Sequence, residues 1–172
     1  MSFEFNYQAQ LRAAQAAFRN KNAEKAQKIA IEILKHYEGD PDVLAFLAAV
    51  NKYLRSMMNR SIRERDYEST MRFAYPLLGD ADFGAAAQSA FLGAARAHLS
   101  PQSRAALIYS VSGQVEVSSE FWEELAGLLV DLPATTENIE MGFEVLVHLP
   151  GHAVALDGLH ELIDRHRQEI AA

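Results

Sequence analysis

Four of the chain's six histidines fall within residues 148 to 166, HLPGHAVALDGLHELIDRH, interleaved with Asp157, Glu161 and Asp164. Imidazoles and carboxylates bind zinc or manganese and exchange protons near neutral pH. The chemistry on offer is a metal-binding regulator or a metal-dependent hydrolase that uses His148, His152 and His160. A second concentration of polar function is NKYLRSMMNR, residues 51 to 60, where Asn51, Arg55 and Asn59 recur at every fourth position. On a helix these three form one ridge beside the Leu47, Leu54 and Met58 stripe. Neutral amide donors next to a fork-shaped guanidinium suit a carboxylate. Lys52 adjoins the ridge, and Arg60, Arg63 and Arg65 extend the positive region; an ordinary solvated helix face or a weak anion patch reads the same way.

Stronger catalytic signatures are missing. The sequence has no glycine-rich phosphate loop, no G-x-S-x-G elbow and no H-E-x-x-H, and Glu144 and His148 are one residue too far apart for a di-iron Glu-x-x-His pair. Glu123 and Glu124 adjoin on a helix surface, with no acid that spacing sets opposite them. The absence of cysteine excludes disulfides, thiolate zinc sites and a cysteine nucleophile. The expectation is a protein without catalysis or cofactor. Laid on a helix from Ala153, the last histidines also have a structural explanation. Leu156, Leu159, Leu162 and Ile163 make an apolar stripe, Asp157, His160, Glu161 and Asp164 share the far side, and His166 nears the C-terminus, where the helix dipole favours a cation. Only His148 and His152, on either side of a Leu-Pro-Gly turn, stay close enough to share a ligand.

Charge bounds the partners. The net charge of −7 divides unevenly, with twelve Lys and Arg against nine acids in residues 1 to 72 and four against fourteen in residues 73 to 172. An anionic partner is therefore expected on the first part. Nucleic acid is not expected, because NRSIRER is short, contains its own acid and lacks interleaved aromatics. No membrane partner is expected either: the longest apolar run, VLAFLAAV, is far below a span, and MSFEFNYQAQ has no basic or apolar leader region. The reading is a soluble, cytoplasmic protein.

These residues must be positioned by helices. A 172-residue chain that is 49% hydrophobic is long enough for a core and reads as one domain. Helical periodicity runs from end to end. Helices are expected near 7 to 18, 23 to 36 (capped from Asn20 or Asn22), from Pro41 through Met58, and from Ile62 to Leu78 with an interruption at Pro76. Further helices follow near 83 to 99, 101 to 112, 119 to 132, 137 to 148 and 153 to 170, and GQVEV is the one short extended connector. Phe3, Phe5 and Tyr7 alternate like a packing arm, for this chain or for a second subunit. Phe121 and Trp122 point to different sides of their helix, so one of them can sit at a groove or interface, although large aromatics in such positions are more often core. In pairs, the helices make hairpins at about 7 to 37, 41 to 78, 82 to 112 and 118 to 148, with a cap at 153 to 170. That is an all-α architecture of stacked antiparallel hairpins.

The third hairpin resembles a tetratricopeptide (TPR) repeat, since Leu92-Gly93 is followed twelve residues later by Ala105 and then Tyr109. Ser89 and Arg96 stand where Trp and Tyr are usual, and no Pro closes the repeat. The first hairpin follows the spacing more loosely through Ala13, Ala14 and Ala26, the second offers Met58, Thr70 and Ala74, and the likeness covers at most the first 112 residues. The resemblance implies a TPR-like α-solenoid in which Gly93 and Ala105 let helix backbones approach and Tyr109 fills the wedge toward the next hairpin. It further implies a groove lined by the first, third and fifth helices that binds a peptide or helix of another protein. In that family Asn with Lys or Arg clamps a terminal carboxylate, so Asn51, Lys52, Arg55, Asn59 and Arg96 become the partner-binding set. The implied role is adaptor or chaperone, with homo-oligomerisation left open.

Overall fold

The computed structural model describes residues 6 to 172, and Phe3 and Phe5 of the expected arm lie outside them. The described chain is all-α, with nine α-helices, two short 3-10 turns and no strand. It divides into two compact units, Met1–Phe91 and Leu92–Ala172. None of its helices is long and apolar enough to cross a membrane.

Unit 1 contains α1 (Tyr7–Arg19), α2 (Ala23–His36), α3 (Pro41–Glu64), α4 (Tyr67–Ala74) and a 3-10 turn at Tyr75–Leu77, and α5 (Gly84–His98) begins in it. The helix starts are local chemistry. Asn22 accepts from the Lys25 amide at 3.2 Å, and Asp40 accepts from Asp42 and Val43 at 3.0 Å each, with Pro41 in the first turn. Consecutive helices from α1 to α4 pack on one another. Ala14, Ala26 and Ala30 are fully buried, and their small side chains let α1 and α2 approach closely while Ile33, Val43, Val50 and Leu54 fill the core.

One boundary differs from expectation. The helix begun at Pro41 does not stop before Asn59-Arg60-Ser61; it continues to Glu64. Ser61 is buried and donates its hydroxyl to the Met57 carbonyl at 2.9 Å, which satisfies a polar group inside the helix. The break comes at Arg65, in the left-handed region at φ 54°, and Asp66 then caps α4 through the Ser69 amide at 3.1 Å.

Unit 2 holds the end of α5, then α6 (Pro101–Gln114), α7 (Ser119–Leu128), a 3-10 turn at Leu129–Asp131, α8 (Thr136–His148) and α9 (Ala153–Ala171). Consecutive helices from α6 to α9 pack together, and α9 also returns onto α7 and the 3-10 turn. Phe121 and Trp122 are both buried, the core placement usual for large aromatics, because helices pack on more than one side of α7. The buried stripe of α9 also differs. It is Ala155, Gly158, Leu159 and Leu162, while Leu156 is 37% exposed. Glycine decides this: a Cβ on Gly158 would stand 2.8 Å from the Leu129 Cβ, and one on Gly142 would stand 2.9 Å from the Leu159 Cδ1. Gly93, expected at a close approach, is exposed, and a Cβ there would meet nothing within 4 Å. Ala105 is buried, and Tyr109 reaches across to α8, where its hydroxyl donates to Glu144.

Candidate functional site

The helical ridge of residues 51 to 60 is divided by the fold. Asn51 is 7% exposed and belongs to a buried network. Its Oδ1 accepts from Gln27 Nε2 at 2.8 Å, and its Nδ2 donates to Asp80 Oδ2 at 3.0 Å. Gln27 Nε2 also donates to the Pro76 carbonyl at 2.8 Å. Asp80 Oδ1 accepts from the Asp82 and Phe83 amides at 2.9 and 2.8 Å, which fixes the turn that leads into α5. Asn51 therefore ties α2, α3 and two connecting turns together, and its donor and acceptor are engaged within the protein. Asn51 thus has a structural role in this network, and it also lines the groove that opens beside it.

Beside this network, unit 1 has an open groove of about 380 Å³ whose lining includes Leu44, Leu47, Asn51, Lys52, Asp82 and Phe83. Leu44 is 46% exposed. The Arg55 guanidinium lies over the Phe83 ring, 4.7 Å from its centroid, an arrangement that holds the cation by the ring's electron-rich face. Lys52 and Arg55 are both exposed, and neither forms an ion pair among the described residues. Two cations next to exposed leucine and a half-buried phenylalanine can receive an anionic group joined to an apolar one.

The other two expected contacts lie elsewhere. Asn59 is exposed two helical turns beyond Asn51, next to Arg60, whose Nε donates to Glu64 Oε1 at 2.8 Å. That bond and the carboxylate charge raise the Arg60 pKa. Arg96 belongs to unit 2, where its Nε donates to Glu124 Oε2 of α7 at 2.7 Å and its carbonyl accepts from Arg104. Arg96 thus braces α5 on α7. Residues that spacing alone did not single out are Gln27, Asp80 and Phe83. Gln27 had a visible signal, since it follows Ala23 by four residues and precedes Ala30 by three on the buried stripe of α2.

The histidines are dispersed among separate tasks. His148 stacks on Trp122 with ring centroids 3.8 Å apart and planes at 6°. His152 caps α9 and accepts from the Ala155 amide through Nδ1 at 3.3 Å. His160 is exposed on the outer face of α9, and the His166 ring lies 2.9 Å from the Ala134 carbonyl. Among the described residues no three His, Asp or Glu side chains come together to hold a metal ion. Comparisons with protein-family models, with curated proteins and with solved structures gave no match to this chain.

Proposed function

We propose that this chain is a non-catalytic protein-interaction module, an adaptor or chaperone of the cytoplasm, that holds a peptide or helix of a partner protein in the α3 groove of unit 1. In this reading an acidic end of the partner meets Lys52 and Arg55, and an apolar side chain rests against Leu44, Leu47 and Phe83. The observation that carries it is the pair of cations outside any ion pair, beside exposed apolar side chains on a long, well-anchored helix. Asn51 lines the same groove, and its bonds to Gln27 and Asp80 hold that wall of α3 in place. The paired packing of consecutive helices supports a TPR-like α-solenoid in which α9 acts as the C-terminal cap.

The experiment is affinity capture from the native host with the full chain and a Lys52→Glu, Arg55→Glu variant. Both side chains are exposed, so circular dichroism is expected to be unchanged. The reading requires a specific partner that the variant loses. A partner retained at full strength by a folded variant moves the binding surface away from α3.

A further inference from the structure

Unit 2 has a second groove, of about 340 Å³, between α6 and α8. Its accessible lining includes Ala106, Tyr109 and Pro133, over a floor of buried Ala105, Leu132 and Met141. One wall is acidic. Glu137, Glu140 and Glu144 follow one another at intervals of three and four residues on α8, so they share one edge of that helix. Glu137 lines the groove, Glu144 accepts the Tyr109 hydroxyl, and the charges of Glu140 and Glu144 both act on the Tyr109 phenol.

No lysine or arginine pairs with any of these three carboxylates among the described residues. The single cation of α6, Arg104, is engaged instead with Glu124 of α7, Nε to Oε1 at 3.3 Å. Neighbouring like charges on a helix repel, so the row is under-compensated in the free chain. Beyond it, Phe143 and Val147 of α8 are 54% and 74% exposed. The acidic edge therefore runs between an apolar groove and an exposed apolar strip.

We infer that the α6–α8 groove docks a cationic amphipathic segment of another protein, with apolar side chains on Ala106, Tyr109 and Pro133 and lysines or arginines along Glu137, Glu140 and Glu144. Charge complementarity selects this occupant. Residues 73 to 172 carry fourteen acids against four Lys and Arg, and the groove's charged wall is carboxylate alone. An acidic ligand of the kind proposed for α3 is repelled here, so the two grooves are independent and neither inference rests on the other.

The test is fluorescence anisotropy at physiological salt with the full chain and two synthetic helical peptides of one length, one built of leucine and lysine, the other of leucine and glutamate. The leucine-lysine peptide is expected to bind and the leucine-glutamate peptide is not. Glu137→Gln with Glu140→Gln is expected to weaken binding by about fivefold, from loss of two exposed charge contacts, and Ala106→Arg to weaken it further. Asp157→Asn with Glu161→Gln makes the same charge change on the exposed face of α9 and is expected to alter binding less than about twofold. Equal weakening by the α9 variant, binding of both peptides, or no binding of the leucine-lysine peptide would overturn the inference. Sedimentation of the chain alone supplies a further arm, since a dimer that Ala106→Arg dissolves assigns the groove to a second copy and likewise overturns it. Should Ala106→Arg unfold, the glutamine pair decides by itself.

Discussion

Truncating Asn51 to alanine removes two hydrogen bonds at once, the 2.8 Å bond from Gln27 and the 3.0 Å bond to Asp80. Each is worth about 1 kcal/mol net in a folded chain. Gln27 Nε2 keeps its bond to the Pro76 carbonyl, so its donor is not wholly orphaned, and Asp80 sits where water can replace the lost amide. The expected destabilisation is therefore about 2 kcal/mol rather than the larger cost of a stranded buried group. Urea unfolding followed by far-ultraviolet circular dichroism reads this as a lower midpoint at unchanged slope. Trp122, the one tryptophan of the chain, reports on unit 2 in the same experiment. A Gln27→Ala, Asn51→Ala double-mutant cycle is expected to deviate from additivity by about 0.5–1.5 kcal/mol, since the two share a bond. A loss below about 0.5 kcal/mol together with an additive cycle would refute the structural role and return Asn51 to the surface ridge that its spacing suggests.

The glycines give a paired test. Gly158→Ala is expected to destabilise by about 1–2 kcal/mol, because overpacking against Leu129 exceeds the gain in helix propensity, whereas Gly93→Ala, with nothing within 4 Å of its new Cβ, is expected to stabilise by up to about 1 kcal/mol. Thermal unfolding that shows both variants stabilised would rule out the close α9 contact. The Tyr109 phenol is pushed up to about 12 by its bond to Glu144, by burial and by the charges of Glu144 and Glu140. A raised value favours the protonated form in the folded chain, so this contribution to stability is complete below the unfolded value near 10 and is lost as pH rises through about 12. Glu144→Gln is expected to bring that phenol down in an alkaline absorbance titration; an identical curve for the variant would contradict the assignment. Zinc or manganese at constant protein concentration is expected to leave the melting temperature unchanged, and a rise would mean that the histidines do assemble a site.

Helix starts were legible because their causes lie within four residues. Asn22, Asp40, Ser100 and Thr135 each cap the helix that follows, and α2 spans Ala23–His36 as periodicity and capping predict. The end of α3 was less legible, because its stop is an arginine in a left-handed conformation, which composition does not announce. Spacing also picked out the α3 ridge, on which Lys52 and Arg55 are exposed and Lys52 lines a groove. The fate of Asn51 could not be read from its helix: its partners Gln27 and Asp80 are 24 and 29 residues away in the chain, and only packing brings them within hydrogen-bond distance. On α9, counting large apolar residues favours Leu156, yet the buried face centres on Ala155 and Gly158, because the approach of neighbouring helices selects small size over hydrophobicity. The histidine-rich stretch follows the same division. Sequence determined a turn and an amphipathic last helix, and tertiary structure decided that His148 meets Trp122, His152 caps and His166 reaches Ala134, since coordination depends on where side chains converge and not on how closely they follow in the chain.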